Sequence, residues 1–383
     1  MTSALNPRCA PGGISLECRE WSNLQVTLHT LLLAVIAFVA TAIAIHWLRP
    51  LSEKIGLVDH PNDERKHHTT PTPLCGGLGI VAGLVVALLL SPRELGGIGW
   101  PLMAASLPLV AVGLWDDIVE ISTKIRIAAQ ILSALLMVYL GHVVILHVGD
   151  IIEPGHVLNL GAWAVPLTVF SIVGIINGVN MLDGLDGLAG GVVFIALGWF
   201  ATAAFIQGAG AEASLTLVLM SAAAGFLVFN LRHSRRGRAT VFLGDTGSTV
   251  LGFALGWLSI QLSQMQAGAL PPMSVVWIMA VPLLDTLAQI VRRLAAGRNP
   301  MSPDRNHLHH LLLRAGLSEG QTVAALFIAA WLFGAIGVGA WQFGVPMNLL
   351  FWGSLIIYGV YMAVVTWGNR PGKRPRRAGD QAG

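Results

Sequence analysis

Long apolar stretches recur along the whole chain, and most are long enough for a helix to cross a lipid bilayer. About eleven of them lie at 28–48, 74–92, 100–115, 125–147, 161–178, 187–206, 213–231, 248–264, 272–291, 321–341 and 346–367. A helix needs ~20 apolar residues to cross a hydrocarbon core of ~30 Å. The stretches are continuous and do not alternate, which argues against membrane β-strands. The sequence therefore predicts an all-α, polytopic transmembrane helical bundle.

The basic residues indicate how the bundle is oriented. Twenty of the 23 Lys and Arg residues lie in the loops after odd-numbered stretches or in the C-terminal tail. Such a bias predicts that these loops are cytoplasmic and that the N-terminus is outside. We expect an extracytoplasmic tail at 1–27, a membrane-embedded domain at 28–367 and a basic cytoplasmic tail at 368–383. The net charge of +3 does not indicate nucleic-acid binding, because the basic residues lie at membrane edges.

Two acids end the third stretch, in the sequence GLWDDIVEISTKIRI. Asp116 and Asp117 lie where a helix C-terminus already concentrates negative charge. We therefore expect a metal or a cationic side chain to compensate them, and Lys124 follows seven residues later. The alternative is a pair of solvated acids at the membrane interface.

The sequence NGVNMLDGLDGLAGG contains four polar residues at intervals of three. Asn177, Asn180, Asp183 and Asp186 lie between two apolar stretches, and no Lys or Arg accompanies them. Amide and carboxylate oxygens are suitable ligands for a hard cation such as Mg²⁺. Carboxylates without a function would be energetically unfavourable at membrane depth, so this segment predicts a functional site.

Two further predicted cytoplasmic loops combine basic residues with glycine. In the first predicted cytoplasmic loop of the chain, Lys66 and His68 precede a proline-containing turn and a Gly-Gly pair, and these cations could hold phosphate oxygens. The alternative is a membrane-edge anchor. In the fourth, a group of arginines leads into GDTGS, which contains Asp245. This carboxylate is either a site residue or only a helix cap.

The longest predicted cytoplasmic loop contains Arg305, His307, His309 and His310. Imidazole and guanidinium groups together suit a diphosphate. If this segment is helical, His307 and His310 share a face and His309 turns away. A zinc site and a basic interfacial helix are the alternatives, although a second cluster of zinc ligands is missing from the sequence.

Asp285 differs from the other acids because it lies within an apolar stretch. An acid inside a membrane segment is a functional candidate by default. It could line a substrate path, or it could hydrogen-bond Thr or Gln on another helix.

Taken in order, these motifs resemble the polyprenyl-phosphate N-acetylhexosamine-1-phosphate transferase superfamily over nearly the whole chain. They are the Pro-rich loop with GG, the DD pair, NxxNxxDGxDGL, FxGDxGS and HxHH. Within the superfamily, SPDRNHLHHLLLRAGLS is similar to the branch that uses UDP-N-acetylglucosamine. The peptidoglycan branch, which uses UDP-N-acetylmuramoyl-pentapeptide, fits less well because it has a histidine triplet followed by an acidic stretch.

The resemblance implies a reaction in the bacterial inner membrane, with the active site on the cytoplasmic face. Undecaprenyl phosphate attacks the β-phosphorus of a UDP-N-acetylhexosamine, for which UDP-GlcNAc is the expected donor, and UMP leaves. The product starts a lipid-linked cell-envelope glycan such as O-antigen. The resemblance also implies a requirement for Mg²⁺, with Mn²⁺ as a substitute, and it is compatible with a homo-oligomer.

The family's functional residues carry over to matching positions of this sequence. The resemblance implies that Asp116 and Asp117 are catalytic, that Asn180 and Asp245 ligate Mg²⁺, and that substrate is bound by Lys66, His68, Lys124, Asp183, Asp186, Arg305, His307, His309 and His310. Within this set, Lys124 would contact a phosphate. Asp186 would read the uracil, with Asp183 nearby.

A cation-coupled transporter is the alternative from another functional class. Transporter acids are expected near the bilayer midplane, on broken helices. In this sequence all the candidate acids except Asp285 lie at the predicted inner edge, which favours the enzyme.

Overall fold

The computed structural model describes residues 16–59, 71–232, 236–265, 270–295, 297 and 307–368, with side chains between 28 and 366. The described chain is almost entirely helical, so the predicted all-α polytopic fold is confirmed. The helices are α1 (Leu16–Ile55), α2 (Gly76–Leu90), α3 (Gly96–Ile118), α4 (Thr123–Gly141), α5 (Ala164–Leu182), α6 (Leu188–Gln207), α7 (Gly210–Asn230), α8 (Gly244–Ser263), α9 (Pro272–Ile278), α10 (Ala280–Ala295), α11 (Leu308–Arg314), α12 (Glu319–Gln342) and α13 (Met347–Gly368). Strands β1 (Val58–Asp59) and β2 (Thr72–Pro73) form one short antiparallel pair.

Helices occupy all eleven predicted apolar stretches, but fewer meet a strict test for a membrane span. Eight described helices are long and apolar enough, and α9 with α10 makes a ninth if this pair, bent by 86°, counts as one span. Helix α2 has only 15 residues. Helix α8 carries many polar residues, but it is buried along nearly its whole length by other helices. The number eleven and the orientation of the bundle therefore remain predictions.

The first helix begins earlier than the predicted first span. Helix α1 starts at Leu16, so part of the segment predicted as a tail at 1–27 is helical. The role of that segment, and the other proposed domain boundaries, remain predictions.

Helix α8 is the centre of the bundle. It packs against α2, α3, α5 and α6, and its side chains Phe253 and Trp257 are fully buried. A helix enclosed by protein can hydrogen-bond its polar side chains to its neighbours, so it does not need an apolar surface. The position of α8 determines which parts of the chain meet at its first turn.

Glycines allow α2 and α3 to approach the first turn of α8 closely. A Cβ atom on Gly77 of α2 would lie 2.3 Å from the Cα of Gly247 in α8. A Cβ atom on Gly113 of α3 would lie 2.6 Å from the Cα of Thr246. The backbone of α2 also joins the segment before α8, because the N–H of Gly77 donates to the carbonyl of Leu243 over 3.0 Å. Three helices thus converge where the GDTGS motif begins.

We predict that Gly247→Ala strongly destabilises the protein. The added Cβ would lie 2.7 Å from the backbone of Gly77, and such overpacking typically costs about 1–3 kcal/mol or more. The melting temperature in detergent should therefore fall by several degrees. The matched control is Gly198→Ala in α6, where the nearest atom, Sδ of Met220, is 3.6 Å away. Equal melting temperatures for the two variants would contradict the close approach of α2 and α8.

Candidate active site

The carboxylate of Asp117 caps the N-terminus of α8. Its Oδ1 accepts the backbone N–H of Asp245 at 2.7 Å, and its Oδ2 accepts the N–H of Thr246 at 3.1 Å and the Thr246 hydroxyl at 2.7 Å. The first N–H groups of a helix have no partner within the helix, and they carry partial positive charge. The compensation expected for the Asp pair is thus supplied, for Asp117, by a helix N-terminus.

The other member of the pair is compensated by an arginine. Asp116 is buried, and its Oδ2 accepts a hydrogen bond from Nη1 of Arg126 at 3.1 Å. Its Oδ1 accepts the backbone N–H of Ile121 at 2.8 Å. Lys124 is exposed, and its predicted phosphate contact remains a prediction. Sequence reasoning missed Arg126, although its position in the first turn of α4, directly after the short turn from α3, was a usable signal.

The two predicted magnesium ligands lie in contact. The Nδ2 atom of Asn180, in the last turn of α5, is 2.6 Å from Oδ1 of Asp245 and 2.8 Å from the hydroxyl of Ser248. The backbone N–H groups of Asp245 and Thr246 donate to Asp117, and the Asp245 side chain does not cap α8, so the interpretation of Asp245 as only a helix cap is wrong. The Asp245 carboxylate faces α5, and it also lies close enough to Asp116 for the two charges to interact.

Asp183 adds a further acid to this group. Burial, together with the negative charges of Asp245, Asp117 and Asp186, raises the pKa of Asp183 to about 7. Among the described residues, none donates a hydrogen bond to its carboxylate. The ionised form of Asp183 is therefore disfavoured unless additional positive charge is present.

The donor set suits a cation that takes only part of its coordination shell from protein. Within the described ranges, no three His, Cys, Asp or Glu residues are grouped closely enough to hold a metal ion by themselves. Mg²⁺ is usually bound by one or two carboxylates, with waters and substrate phosphates completing the shell. The carboxylate of Asp245 and the amide of Asn180 fit that pattern.

Asp186 points away from this group, towards the fourth predicted cytoplasmic loop. Its Oδ2 accepts hydrogen bonds from Nε of Arg232 at 2.6 Å and from the backbone N–H of Ala239 at 2.8 Å. Arg232 also forms an ion pair with Glu319, the first residue of α12. The segment NGVNMLDGLDGLAGG, called the acid segment below, contains no Lys or Arg of its own. The positive charge that pairs with Asp186 therefore comes from the loop after α7.

The three histidines of HxHH form one cluster beside the acid segment. The ring centroids of His309 and His310 are 4.2 Å apart, and those of His307 and His309 are 5.9 Å apart with parallel rings. His309 is buried, and a Cβ atom on Gly184 would lie 2.7 Å from its Nε2. The expectation that His309 turns away is wrong, because His307 has an extended backbone and only precedes helix α11.

The acid within the membrane segment holds the histidine cluster in place. Asp285 accepts hydrogen bonds from Nδ1 of His307 at 2.8 Å, from the N–H of Leu308 at 2.9 Å and from the hydroxyl of Tyr361 at 3.0 Å. This assignment takes His307 as protonated on Nδ1. Asp285 thus hydrogen-bonds other elements, but its partners are neither Thr nor Gln, and a place along a substrate path remains a prediction.

Three predicted site residues lie outside the described residues. They are Lys66 and His68 in the first predicted cytoplasmic loop, and Arg305 in the fifth. Their roles remain predictions.

The fold and the site define a polytopic helical membrane protein with an acid-rich polar centre, fixed at the start of its most buried helix. The family model described as glycosyl transferase family 4 matches residues 100–263, which run from within α3 to the end of α8. The chain belongs to this family, which confirms the resemblance seen in the motifs, and it is a membrane-embedded transferase.

Curated relatives match over most of their length. The chain is 36% identical over 326 residues to a protein of Salmonella typhi, covering 84% of this chain and 88% of the relative. It is 33% identical over 338 residues to one of Escherichia coli K12, covering 87% and 90%. It is 31% identical over 349 residues to one of Haemophilus influenzae, covering 89% and 98%. Each relative is named undecaprenyl-phosphate alpha-N-acetylglucosaminyl 1-phosphate transferase.

We predict that Asp285→Ala destabilises the protein by about 3 kcal/mol, because a buried histidine and a backbone N–H lose a charged acceptor. Tyr361→Phe removes only one hydrogen bond to the same carboxylate and should cost about 1 kcal/mol. Thermal unfolding of the two variants in the same detergent measures the difference. If Tyr361→Phe were as damaging as Asp285→Ala, the anchoring of His307 by Asp285 would be refuted.

Proposed function

We propose that the protein transfers N-acetylglucosamine-1-phosphate from UDP-GlcNAc to undecaprenyl phosphate and releases UMP. The main support is the match to relatives of that name over more than four-fifths of the chain. The product starts a lipid-linked cell-envelope glycan. The peptidoglycan reaction is not favoured, because every relative described above carries the N-acetylglucosaminyl name.

The transporter alternative is also not favoured. The acids Asp116, Asp117 and Asp245 meet at the first turn of α8 and the last turn of α3. Among the described helices, the bent pair α9 and α10 resembles the broken helices of transporters, but the acid on it, Asp285, hydrogen-bonds His307.

The chemical step joins two anions. An oxygen of undecaprenyl phosphate attacks the β-phosphorus of UDP-GlcNAc, and the bond from that phosphorus to the bridging oxygen breaks, so that UMP leaves. A phosphomonoester has a second pKa near ~6, so the attacking phosphate is mostly a dianion at pH 7. A strong general base therefore adds little, and neutralising and positioning the charges is the harder task.

The acid pair serves this task by organising the site. Asp117 fixes the start of α8 and thereby places Asp245, while Asp116 holds the guanidinium of Arg126. Arg126 and the neighbouring Lys124 supply positive charge where the lipid phosphate would approach. These contacts support positioning, rather than proton abstraction, as the work of the pair.

Asn180 and Asp245 would hold Mg²⁺. When bound, the ion neutralises charge on the donor diphosphate. The hydrogen bond of 2.6 Å from Nδ2 of Asn180 to Oδ1 of Asp245 supports this pairing, because it brings the two oxygen-bearing side chains to one place. Mn²⁺, with similar oxygen ligands, would substitute.

The donor would lie between the acid segment and the histidine cluster. Basic side chains from two loops would bind the diphosphate and the amino sugar. They are Arg305, His307, His309 and His310 from the fifth predicted cytoplasmic loop, and Lys66 and His68 from the first. Asp186 would read the uracil, with Asp183 nearby. The proximity of His309 to Gly184 supports this arrangement, because it brings the two segments to one place.

The charge distribution supports the proposed orientation of the protein in the membrane. The protein would lie in the bacterial inner membrane with this site on the cytoplasmic face, where the nucleotide sugar is available. The excess of Lys and Arg in the loops that carry the site supports this orientation.

The assay that tests the function mixes purified protein, undecaprenyl phosphate and Mg²⁺ with UDP-GlcNAc and measures UMP. Release of UMP that depends on the lipid phosphate is expected. Parallel reactions with UDP-N-acetylgalactosamine and UDP-N-acetylmuramoyl-pentapeptide test the donor. If no donor yields UMP, the proposed transferase activity is refuted. If only the pentapeptide donor yields UMP, the protein catalyses the peptidoglycan reaction instead.

The proposed metal ligands predict a specific defect. Asp245→Asn should raise the Mg²⁺ concentration for half-maximal activity at least tenfold, because a neutral amide binds a hard cation more weakly than a carboxylate does. The control is Glu153→Gln, which removes an exposed charge from the connection between α4 and α5. An unchanged Mg²⁺ dependence in Asp245→Asn would exclude this residue as a ligand.

A further inference from the structure

Arg232, which follows α7, connects the acid segment to the start of α12. Its Nε donates to Oδ2 of Asp186 at 2.6 Å, and its Nη1 pairs with Oε2 of Glu319. The guanidinium group has a fixed planar fork of donors. One arginine therefore bridges two carboxylates that lie far apart in the sequence.

The bridge orients the Asp186 carboxylate. Oδ2 accepts both Arg232 Nε and the N–H of Ala239, the latter at 2.8 Å. No donor within the described part of the chain approaches Oδ1. Two donors on one oxygen fix the rotation of the carboxylate and leave the other oxygen available as an acceptor. The side chain of Asp186 is 11% exposed, so a small part of it remains accessible to a ligand.

The far end of the bridge is itself held firmly. Helix α12 begins with a capping box, in which Ser318 Oγ accepts the N–H of Gln321 at 3.2 Å and Gln321 Oε1 accepts the N–H of Ser318 at 2.9 Å. A capping box fixes the first turn of a helix. Glu319 lies in that turn, so its backbone is fixed where its side chain meets Arg232.

Oδ1 of Asp186 is a better hydrogen-bond partner for uracil than for cytosine. Uracil has an N–H group at ring position 3, between two carbonyls, and this group can donate to a carboxylate oxygen. Cytosine has an unprotonated nitrogen at the same position, which would face the carboxylate as a second acceptor. A buried acceptor that meets another acceptor is costly.

We infer that Arg232 is a positioning residue that orients Asp186 to select uridine nucleotides over cytidine nucleotides. The inference rests on the proposed function, in which Asp186 reads the donor base. The contacts of Arg232 are with Asp186 and Glu319, so in this proposal its loss should weaken donor recognition and leave the chemical step intact.

The test compares Arg232→Gln with wild type for two readouts. The first is the KM for UDP-GlcNAc, which should rise about tenfold while kcat changes less than about twofold. The second is the ratio of the inhibition constants of CMP and UMP, which should fall about tenfold because Asp186 is no longer oriented. A general structural defect would lower kcat and leave this ratio unchanged.

The control is Arg238→Gln, which removes an equal charge from an exposed position in the same loop and should match wild type in both readouts. Arg232→Lys should give intermediate values, because an ammonium group cannot reach both carboxylates in the same geometry. Glu319→Gln should lower the ratio of the CMP and UMP inhibition constants by a smaller factor. In the Arg232→Gln background it should lower that ratio little further.

Several outcomes would overturn the inference. They are an unchanged CMP to UMP ratio in Arg232→Gln, a fall in kcat at constant KM, or an equal change in Arg238→Gln. If Arg232→Gln does not fold, the Arg232→Lys and Glu319→Gln ratios decide in the same way. A wild-type protein that releases no UMP refutes the proposed function. A working wild type with unaltered base selection in the variants refutes only the role of Arg232.

Discussion

The carboxylate of Asp117 at the N-terminus of α8 is the interaction from which the rest of the site is built. An acid at the end of α3 faces the negative end of its own helix dipole, and the first N–H groups of α8 lack acceptors. Each feature is unfavourable alone, and each satisfies the other when the two helix ends meet. Gly244 makes the meeting possible, because its φ is +74° and a Cβ there would lie 2.8 Å from the Asp117 carboxylate. Helix α8 then presents Asp245 to α5.

Around this centre, acids are compensated by donors from other segments. Asp116 is held by Arg126 of α4, Asp186 by Arg232 after α7, and Asp285 by His307 before α11. Such pairs contribute modestly to stability where they are exposed. Their geometric consequence is larger, because each fixes one loop against another. Negative charge remains in excess around Asp183, and this excess is what a divalent cation and a cationic donor-binding loop would relieve.

Enclosure by other helices explains why a helix as polar as α8 can lie at the centre of a bundle in the bilayer. Hydropathy identifies helices that face lipid, whereas α8 is enclosed by α2, α3, α5 and α6. The hydroxyl groups of Thr249 and Ser259 donate to carbonyls of α8 itself. The close contact between Gly77 and Gly247 depends on the same enclosure, since without a hydrophobic effect between helices in lipid, tight packing of small residues holds them together. The span count from apolar stretches and the count from strict criteria differ at such helices, and at the short α2.

The sequence by itself determined the helical membrane fold, because an apolar stretch of bilayer length leaves a chain few alternatives to a helix. It also determined the family, through motifs whose order is visible without any structure, and the resemblance to that family paired Asn180 with Asp245. Only the tertiary structure decided which acid meets which donor: Asp117 and Thr246, Asp186 and Arg232, Asp285 and His307. Arg232 and the inward position of His309 were missed for the same reason. These contacts join residues far apart in the chain, and their geometry depends on how whole helices pack, which local spacing does not encode.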